Sequence, residues 1–387
     1  MILHPSSSTD RLRTIPWAAL EGLGPALAPA IDEVLLGRPA ERVLDRLLRR
    51  AKLEADQRRA AAEAVFGVGL WRRRLGAPAP ALVLLARLAR DLGGFADAER
   101  VLGIVASAAP EPHTLADRYS MPDWLAAEVE SVTGAEAEAA ADAFNLPAPI
   151  FLRARGPRDE LAESLREDGI ETRPCAHASA GLEVVSERPN LYGSSAWQDA
   201  LFEVQDESSQ RVGELTHARP GMRVLDLCAG AGGKTVHLAE LMKGQGELHA
   251  YDVDSERLGR LRQRAERAQV RGLRIHQPGQ LPDGPFDVVL VDAPCSELGA
   301  LRRGPDLRWR LDPADFTKWP LLQRELLATA IERVGPGGRL VYATCTFRRE
   351  ENEEVASTVS WKREATLTLW PHRDRSDGFF AAAWTRP

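Results

Sequence analysis

Two cysteines of this sequence, Cys295 and Cys345, each stand just beyond an apolar run of the type that forms strands. VVLVDAP leads to the first cysteine and VYAT leads to the second, and both runs contain β-branched residues. In a parallel α/β sheet, the loops that leave the carboxyl ends of neighbouring strands share one crevice, where ligands bind. Two thiols fifty residues apart in sequence can therefore face one substrate.

The alternative for these cysteines is packing, because free cysteine is among the most buried residue types. Their position past two strand ends favours a chemical role, as do Asp292, Pro294 and Ser296 around Cys295. A thiolate is nucleophilic near neutral pH and leaves readily, which suits transient attachment to a substrate. The sequence has four cysteines but no CxxC pair and no clustered histidines, so we expect neither a metal site nor a disulfide framework.

Strand and helix patterns alternate from Gly221 onward, which predicts a doubly wound, mostly parallel sheet. Strand patterns occur in MRVLDLC, GELHAYDVD, GLRIHQ, FDVVLVDAP and GRLVYATCT, with helical patterns between most of them. The last segments, ATLTLW and FFAAAWT, can close the sheet as a hairpin. We therefore predict a Rossmann-like α/β domain over residues 213–387.

A glycine-rich turn follows the first strand of this domain and precedes a helix. Gly230, Gly232 and Gly233 would let the backbone approach a ligand closely, and the helix start would offer free N–H groups. Asp252 ends the second strand, where an acid can accept both ribose hydroxyls of a nucleoside. The context predicts a nucleoside-binding turn.

Glycine-rich turns of this kind also bind two other ligands, the phosphates of an NTP and the dinucleotide NAD. A P-loop would need a glycine at the position that Cys228 occupies, so the GGKT segment does not indicate an NTPase. An NAD-dependent enzyme stays open, although no histidine or tyrosine stands beside the cysteines to serve a hydride step. His237 and His249 are expected to be packing or surface residues.

Two further domains are predicted before the Rossmann-like one. Residues 1–145 repeat apolar side chains at helical spacing and predict an all-helical domain. Residues 146–212 hold short strand patterns around the helix pattern DELAESLREDGI and predict a small α+β module. Arg153 and Arg155 alternate along one of those strands, a spacing that suits RNA phosphates.

Composition indicates a globular protein, with 44% hydrophobic and 27% charged residues. No apolar run approaches the length of a membrane helix, and MILHPSSSTDRLRT lacks the apolar centre of a signal peptide, so we expect a soluble, cytoplasmic protein. A net charge of −6 is not typical of a nucleic-acid-binding protein. Phosphate binding depends on local clusters of basic residues, however, and not on the total charge. One such cluster comprises Arg302, Arg303, Arg308 and Arg310.

Several of these segments together resemble the RNA cytosine-C5 methyltransferases of the RsmB/Nop2/Sun family, in particular the bacterial Sun/RsmB type. The resemblance lies in LDLCAGAGGKT, YDVDSERL, VDAPCS, RRGPDLRW, GGRLVYATCT and EENEEV, and it covers residues 200 to 387. It continues more weakly through RYSMPDWLAAEV and IFLRARG, which are similar to the family's RNA-binding region. The helical start resembles the NusB-like domain of the RsmB branch.

The resemblance implies S-adenosyl-L-methionine as methyl donor and C5 of a cytidine in structured RNA as target. Ribosomal RNA is the expected substrate, transfer RNA is the second choice, and the chain is expected to act as a monomer. By resemblance, Cys345 is the nucleophile that adds to C6, Cys295 assists release, and Asp292 faces the methionine part or the cytosine edge. The implied cofactor residues are Cys228, Ala229, Gly230, Ala231, Gly232, Gly233, Lys234, Asp252, Arg257 and Asp292. The implied RNA-binding residues are Arg153, Arg155, Arg302, Arg303 and Arg308.

The sequence departs from the family pattern at two positions. Gly279 stands where the family has an acid that contacts adenine, and Asp283 could substitute for it. Glu297 follows PCS where the family commonly has glycine, so a turn that requires positive φ would strain it. These departures favour a rival hypothesis, a non-catalytic RNA-binding or ribosome-assembly factor that retains the fold, whereas the intact cysteine pair favours the enzyme.

Overall fold

The computed structural model of the 387-residue chain describes residues 7–186, 189–304 and 307–387. Two compact units make up the chain, one formed by Met1–Pro147 with Ala300–Ala314, the other by Ala148–Gly299 with Asp315–Pro387. Pro305 and Asp306, part of the RRGPDLRW segment, lie outside the described residues.

The described residues of the first unit form helices and connecting loops, with no strand among them. The long helix Ala55–Trp71 begins with a capping box, in which Glu54 and Gln57 satisfy each other's backbone N–H groups. Alanines on its buried face, such as Ala60 and Ala64, let neighbouring helices approach closely. The α-helices of the unit are Ser8–Leu12, Gly24–Leu35, Ala40–Arg50, Ala55–Trp71, Ala81–Arg87, Ala98–Leu102, Leu115–Arg118, Asp123–Thr133 and Ala137–Ala143. Shorter helical turns are Trp17–Leu20, Leu88–Leu92, Gly134–Glu136 and Leu307–Trp309.

The second unit begins with a small antiparallel sheet. Its strands are β1 (Phe151–Ala154), β2 (Thr172–Pro174), β3 (Gly181–Val184) and β4 (Phe202–Val204), in the spatial order β2-β3-β1-β4. The helices that accompany it are Arg158–Glu167 and Ser195–Gln198, with a helical turn at Leu191–Gly193. A compact apolar core forms between sheet and helices, because Leu152 and Leu182 point inward from the strands and Leu165 from the helix Arg158–Glu167.

A seven-stranded sheet forms the rest of the second unit. Its strands are β5 (Arg223–Asp226), β6 (Glu247–Tyr251), β7 (Leu273–His276), β8 (Phe286–Asp292), β9 (Val334–Thr344), β10 (Arg363–Leu369) and β11 (Phe379–Thr385). Their order is β10-β11-β9-β8-β5-β6-β7. Pairs among β5 to β9 are parallel, and β11 pairs antiparallel with both β9 and β10, as the predicted closing hairpin requires. The predicted Rossmann-like, mostly parallel sheet is confirmed.

Helices cover both faces of this sheet, which is why its central strands are apolar on both sides. Val289 and Val291 of β8 face one layer, whereas Val288 and Leu290 face the other. The covering helices are Glu207–Leu215, Gly233–Leu241, Ser255–Arg267, Lys318–Arg333 and Glu353–Ala356, and Pro371–Asp374 precedes β11.

The division into units differs from the three predicted ranges in two ways. The small sheet and the large sheet belong to one compact unit, and ion pairs such as those of Arg153 with Glu240 and of Arg267 with Glu203 join them. The segment Ala300–Ala314, which follows the first cysteine loop, belongs to the helical unit. The chain passes between the units after Pro147, Gly299 and Ala314, and helical turns at Leu298–Arg303 and Pro313–Thr317 mark the second and third of these places. In the described part of the chain, no helix combines the length and apolar character needed to cross a membrane.

Candidate active site around two cysteines

The two cysteines predicted from the sequence meet at the carboxyl ends of β8 and β9. Their sulfur atoms are 3.3 Å apart, close enough for a thiol hydrogen bond. The two strands are parallel neighbours with Asp292 opposite Ala343, so the loops that follow them leave the sheet at the same level. The N–H of Gly299 donates to the carbonyl of Cys345 at 2.9 Å and keeps the two loops together beyond the strands.

The two thiols have different surroundings. Cys295 is 5% exposed, whereas Cys345 is partly exposed. The hydrogen bond with Cys345, together with burial, raises the pKa of the Cys295 thiol well above its ordinary value. Cys295 therefore keeps its proton near neutral pH and can donate it in a hydrogen bond toward Cys345. This asymmetry leaves Cys345 as the more available nucleophile of the pair.

Glu297 lies in the left-handed region of backbone conformation, with φ of +59°. The turn after PCS therefore has the positive φ under which the residue in place of the usual glycine is strained. A side chain with a Cβ costs free energy in this conformation, on the order of 1 kcal/mol. The turn directs the Glu297 N–H at the sulfur of Cys295, and this contact favours the thiolate and so offsets a small part of the rise in the pKa of that thiol.

The residues around the cysteines are bonded to a buried pair that the sequence analysis did not single out, Glu351 and Asn352. Glu351 accepts a hydrogen bond from the N–H of Ser296 at 3.0 Å, and Asn352 donates to the carbonyl of Thr346 at 3.0 Å. The Ser296 and Thr346 hydroxyls contact each other at 2.8 Å. The available signal in the sequence was the polar run EENEEV shortly after the second cysteine. In the structure, Glu351 and Asn352 of this run are buried, whereas Glu353 and Glu354 are exposed.

The glycine turn lies one strand away, between β5 and the helix Gly233–Leu241. Gly230 and Gly232 have φ of +53° and +85°, which explains why both positions need glycine. A Cβ at Gly232 would lie 2.8 Å from the side chain of Leu261, but a Cβ at Gly230 would project into open space. The turn thus leaves room for a ligand beside Gly230.

Asp252, at the end of β6, closes this turn from the side. One of its oxygens accepts the N–H of Gly230 at 2.8 Å and the other accepts the N–H of Asp254 at 2.9 Å. Each carboxylate oxygen has a further lone pair, so Asp252 can still accept ribose hydroxyls. The next residue, Val253, is 77% exposed and offers an apolar surface that the sequence analysis missed.

Lys234 and Asp292 connect the glycine turn with the cysteine loops. The Lys234 ammonium donates to Asp292 at 2.7 Å, and its Nζ lies 5.1 Å from the centroid of the Phe379 ring. Beneath them, Asp226 accepts from the Thr235 hydroxyl at 2.7 Å, and burial raises the pKa of Asp226 to about 7. Asp226 and Thr235 were missed because an acid inside an apolar strand pattern, LDL, gives no sign of its partner.

The remaining predicted cofactor residues differ in accessibility. Cys228 is partly buried, and burial raises the pKa of its thiol well above the ordinary value. Arg257 is exposed, with its guanidinium 3.5 Å from Asp254. Gly279 forms a left-handed turn with φ of +80°, and its N–H donates to the Tyr251 hydroxyl at 3.3 Å. Ala229 is buried, and Ala231, Gly232 and Gly233 complete the turn.

His237 is a packing residue, as expected. It is buried against Gly213, where any Cβ would collide with the imidazole ring, and burial lowers its pKa well below the ordinary value. His249 is also buried, with its Nδ1 2.9 Å from Nε2 of His276. Neither imidazole lies in the cysteine loops.

The structure corrects the prediction that Arg153 binds RNA phosphates. Arg153 is 0% exposed, forms an ion pair with Glu240 and donates to Gln205 at 2.6 Å. The guanidinium of Arg155 is also bonded within the unit, because it pairs with Glu240 and donates to the carbonyl of Ala200. These arginines join the small sheet to the large one instead of facing solvent.

A second correction concerns the arginines after the first cysteine loop. Arg308 is 0% exposed and donates to the side chain of Asn145 at 2.7 Å and to the carbonyl of Phe144 at 3.0 Å. It secures its segment within the helical unit and cannot meet a phosphate. Arg302 is buried as well, whereas Arg303 is exposed. Among the five predicted RNA-binding arginines, Arg303 alone has an exposed side chain.

The fold and this site define a Rossmann-like methyltransferase. The family described as 16S rRNA methyltransferase RsmB/F matches residues 215–364, which include the glycine turn and both cysteines. The ferredoxin-like domain of RsmF/B-like methyltransferases matches residues 121–189. The chain belongs to the RsmB/F methyltransferase family, and its cofactor is S-adenosyl-L-methionine.

Individual relatives agree with this assignment. A probable ribosomal RNA small subunit methyltransferase B of Synechocystis sp. is 34% identical over 305 residues, covering 70% of this chain and 68% of the relative. The ribosomal RNA small subunit methyltransferase B of Erwinia tasmaniensis is 32% identical over 286 residues, covering 68% and 66%. The crystal structure of PH0851 is 26% identical, with a TM-score of 0.78 over 97% of this chain and 99% of that one.

The asymmetry of the thiols predicts selective alkylation. Iodoacetamide at about pH 7.5 should modify Cys345 at least about tenfold faster than Cys295, since the latter is buried and holds its proton. Cys228 and Cys175 should also react slowly, because burial raises the pKa of each thiol. Mass spectrometry of tryptic peptides during a time course measures all four rates, and modification of Cys295 before Cys345 would contradict the assignment.

The raised pKa of Asp226 predicts that the free energy of unfolding depends on pH. Its folded pKa of about 7 exceeds the unfolded value of 3.8, so the folded state binds more protons between those values and loses stability as pH rises through them. In the absence of cofactor, Asp226→Asn should be more stable than the wild type by on the order of 2–4 kcal/mol at about pH 8, and nearly equal at about pH 4. Urea unfolding across this range measures the difference, and an equal difference at both ends would argue against the raised pKa.

Proposed function

We propose that the chain transfers a methyl group to C5 of a cytidine in ribosomal RNA of the small subunit. The observation that carries the proposal is the 3.3 Å contact between the sulfur atoms of Cys295 and Cys345 at the end of the parallel sheet. The relatives named for small-subunit ribosomal RNA support the choice of substrate. A pair of free thiols beside a methyltransferase cofactor site fits a substrate that must be attacked before it can be methylated.

The chemistry requires such an attack because C5 of cytosine is a poor nucleophile. A thiolate that adds to C6 forms a C6–S bond and moves the electron pair of the C5–C6 double bond onto C5. S-adenosyl-L-methionine, when bound, supplies an electrophilic methyl group. After C5 has taken the methyl group, its proton leaves to a base, the double bond re-forms, and the C6–S bond breaks with the electron pair returning to sulfur.

We assign attack to Cys345 and release to Cys295. Cys345 is the more exposed thiol, and Cys295 can donate a hydrogen bond that stabilises the Cys345 thiolate. The contact with Cys345 is the first cause of the raised pKa of Cys295. Bond formation between Cys345 and C6 would remove the thiolate from that contact, so Cys295 would ionise more easily at the stage when a base is needed.

Asp292 is proposed to bind the cytosine edge or the methionine part of the cofactor. One of its oxygens accepts the Lys234 ammonium, and the side chain is 30% exposed. The carboxylate therefore stays oriented by a buried cation while it keeps lone pairs for a ligand. If it approaches N3 of cytosine, it would favour the protonated base, which accepts a thiolate more readily.

The cofactor is proposed to lie along the glycine turn from Cys228 to Lys234. Open space beside Gly230, the acid at Asp252 and the apolar surface of Val253 fit a ribose and an adenine in that order. Arg257 and Asp292 complete the proposed set. Gly279 cannot supply the missing adenine acid, and Asp283 is exposed on the same segment.

RNA recognition is proposed to involve Arg303 and the helical unit. Arg303 is the exposed residue among the five predicted RNA-binding arginines. The helical unit is proposed to be a NusB-like RNA-binding domain, and the small sheet an RNA-binding module. The protein is proposed to act as a monomer in the cytoplasm.

Substitution of each cysteine tests the proposed function. Cys345→Ala should abolish methyl transfer to ribosomal RNA while S-adenosyl-L-methionine binding changes by less than about threefold, because the loop carries no proposed cofactor anchor. Cys295→Ala should permit attack and methylation but stall before elimination, and so accumulate a covalent protein–RNA species. Bisulfite sequencing detects 5-methylcytidine, and denaturing gels detect the adduct.

The double variant Cys295→Ala, Cys345→Ala is the matched control and should form no adduct. If Cys295→Ala turns over normally without an adduct, this cysteine merely packs the loop. Adduct in Cys345→Ala instead would reverse the two roles. Wild-type protein that binds ribosomal RNA but never methylates it would favour the non-catalytic assembly factor.

Substitution of Asp252 tests the cofactor seating. Asp252→Ala should weaken S-adenosyl-L-methionine binding by about 1.5–3 kcal/mol, the range of a hydrogen bond to a charged group. Glu256→Ala is the control, since it removes a neighbouring exposed acid that is not proposed to meet the cofactor. Isothermal titration calorimetry with both variants decides, and equal affinities for wild type and Asp252→Ala would refute the assignment.

A further inference from the structure

Each cysteine of the pair is flanked by two residues whose polar groups are bonded to the segment Glu351–Asn352, either directly or through Gln323. Around Cys295, the Ser296 N–H donates to Glu351 at 3.0 Å, and the Pro294 carbonyl accepts from the Gln323 amide at 2.9 Å. Gln323 in turn donates to the same Glu351 oxygen at 3.0 Å. The Glu351 carboxylate therefore holds the peptide on one side of Cys295 directly and the peptide on the other side through Gln323.

Asn352 makes the equivalent contacts around Cys345. Its amide nitrogen donates to the Thr346 carbonyl at 3.0 Å, and its amide oxygen accepts from the Thr344 hydroxyl at 2.5 Å. Both Glu351 and Asn352 are buried, and the Tyr342 hydroxyl donates to the Glu351 carbonyl at 2.6 Å. The two side chains are adjacent in sequence, so the chain links the supports of the two cysteine loops by one peptide bond.

We propose that Glu351 and Asn352 are positioning residues that hold the two cysteine loops at the separation needed for both sulfurs to work on one nucleobase. Neither side chain contacts a sulfur in the described hydrogen bonds, so each acts through the backbone and hydroxyl groups beside the cysteines. The role in catalysis rests on the proposed function, but the effect on the distance between the thiols does not.

The burial of Glu351 supports a positioning role over a purely structural one. Its carboxylate is 0% exposed, and the nearest cation in the described ion pairs is Arg348 at 3.9 Å. A buried charge with so distant a counterion costs free energy that an apolar residue would avoid. A carboxylate at this position is explained if one of its oxygens must accept the two N–H groups that fix the loop of Cys295.

Oxidative cross-linking of the cysteines measures their relative placement without RNA or cofactor. Diamide takes two electrons and two protons from the thiols and becomes a hydrazine, while Cys295 and Cys345 join in a disulfide. The rate depends steeply on how closely the sulfurs are held. Glu351→Ala and Asn352→Ala should each slow disulfide formation about tenfold or more, as followed by mass spectrometry after trapping free thiols.

Conservative and remote variants separate positioning from charge. Glu351→Gln keeps the acceptor for Ser296 and Gln323, so its rate should stay within about threefold of the wild type. The negative charge of Glu351 contributes to the raised pKa of Cys295, so a purely electrostatic role predicts that Ala and Gln would both accelerate cross-linking. Glu354→Ala removes an acid from the exposed face of the same segment and should leave the rate unchanged.

Asn352→Asp keeps the test decisive if an alanine variant fails to fold. This isosteric change keeps the acceptor for Thr344 and removes the donor to Thr346, and circular dichroism verifies that the protein is folded. Its cross-linking should be slowed as in Asn352→Ala. Unchanged or faster cross-linking in folded Asn352→Asp or Glu351→Ala overturns the proposal.

Methyl-transfer kinetics provide the second readout. Glu351→Ala should lower kcat at least about tenfold, with the KM for RNA and the affinity for S-adenosyl-L-methionine within about threefold of wild type. Glu351→Gln should retain most of kcat, which a role that depends on the negative charge would not predict. If wild-type protein shows no methyl transfer, the proposed function fails while the cross-linking rates still decide the positioning role.

Discussion

The site depends on one constraint, the parallel pairing of β8 with β9. Neighbouring strands lie about 4.8 Å apart, so loops that leave the same level of two paired strands start within side-chain contact. The order β9-β8-β5-β6 then sets the order of groups along the sheet edge: Cys345, Cys295 with Asp292, the glycine turn, and Asp252. The proposed nucleophile, the proposed base-binding acid and the proposed cofactor seat therefore follow one another along this edge, in the order that the proposed reaction requires.

This arrangement was predictable because it follows from strand patterns and a general rule about parallel sheets. The five strand runs, the closing hairpin and the glycine turn all carry local signals in the sequence. Glu297 was predictable in a similar way, since a residue that replaces a turn glycine keeps the turn's φ and bears the strain. The meeting of Cys295 and Cys345 needed only the additional rule that ligands bind at the carboxyl ends of the strands.

The arginines were not predictable because the sequence shows a charge but not its partner. Arg153 and Arg155 have a spacing that suits phosphates, yet Glu240, on a helix more than eighty residues away, neutralises both. Arg308 stands in a basic cluster, yet backbone carbonyls and Asn145 surround it. Burial follows from tertiary contacts between distant segments, so the same motif fits a phosphate-binding face or an internal anchor. The buried carboxylates of Asp226 and Glu351 escaped notice for the same reason.

The adenine end of the proposed cofactor seat shows how this chain can manage without the acid that Gly279 replaces. The N–H of Gly279 is bonded to Tyr251, so the segment is fixed to the end of β6 by its backbone, and the positive φ at Gly279 allows that turn. Val253 presents an exposed apolar surface beside Asp252, and apolar contact with a purine ring does not depend on a charged partner. An acid would add one hydrogen bond to the adenine amino group, about 1.5–3 kcal/mol for a charged acceptor. The ribose contact at Asp252 and the burial of the ring against Val253 would together outweigh that loss, so the departure at Gly279 weakens the seat without removing it.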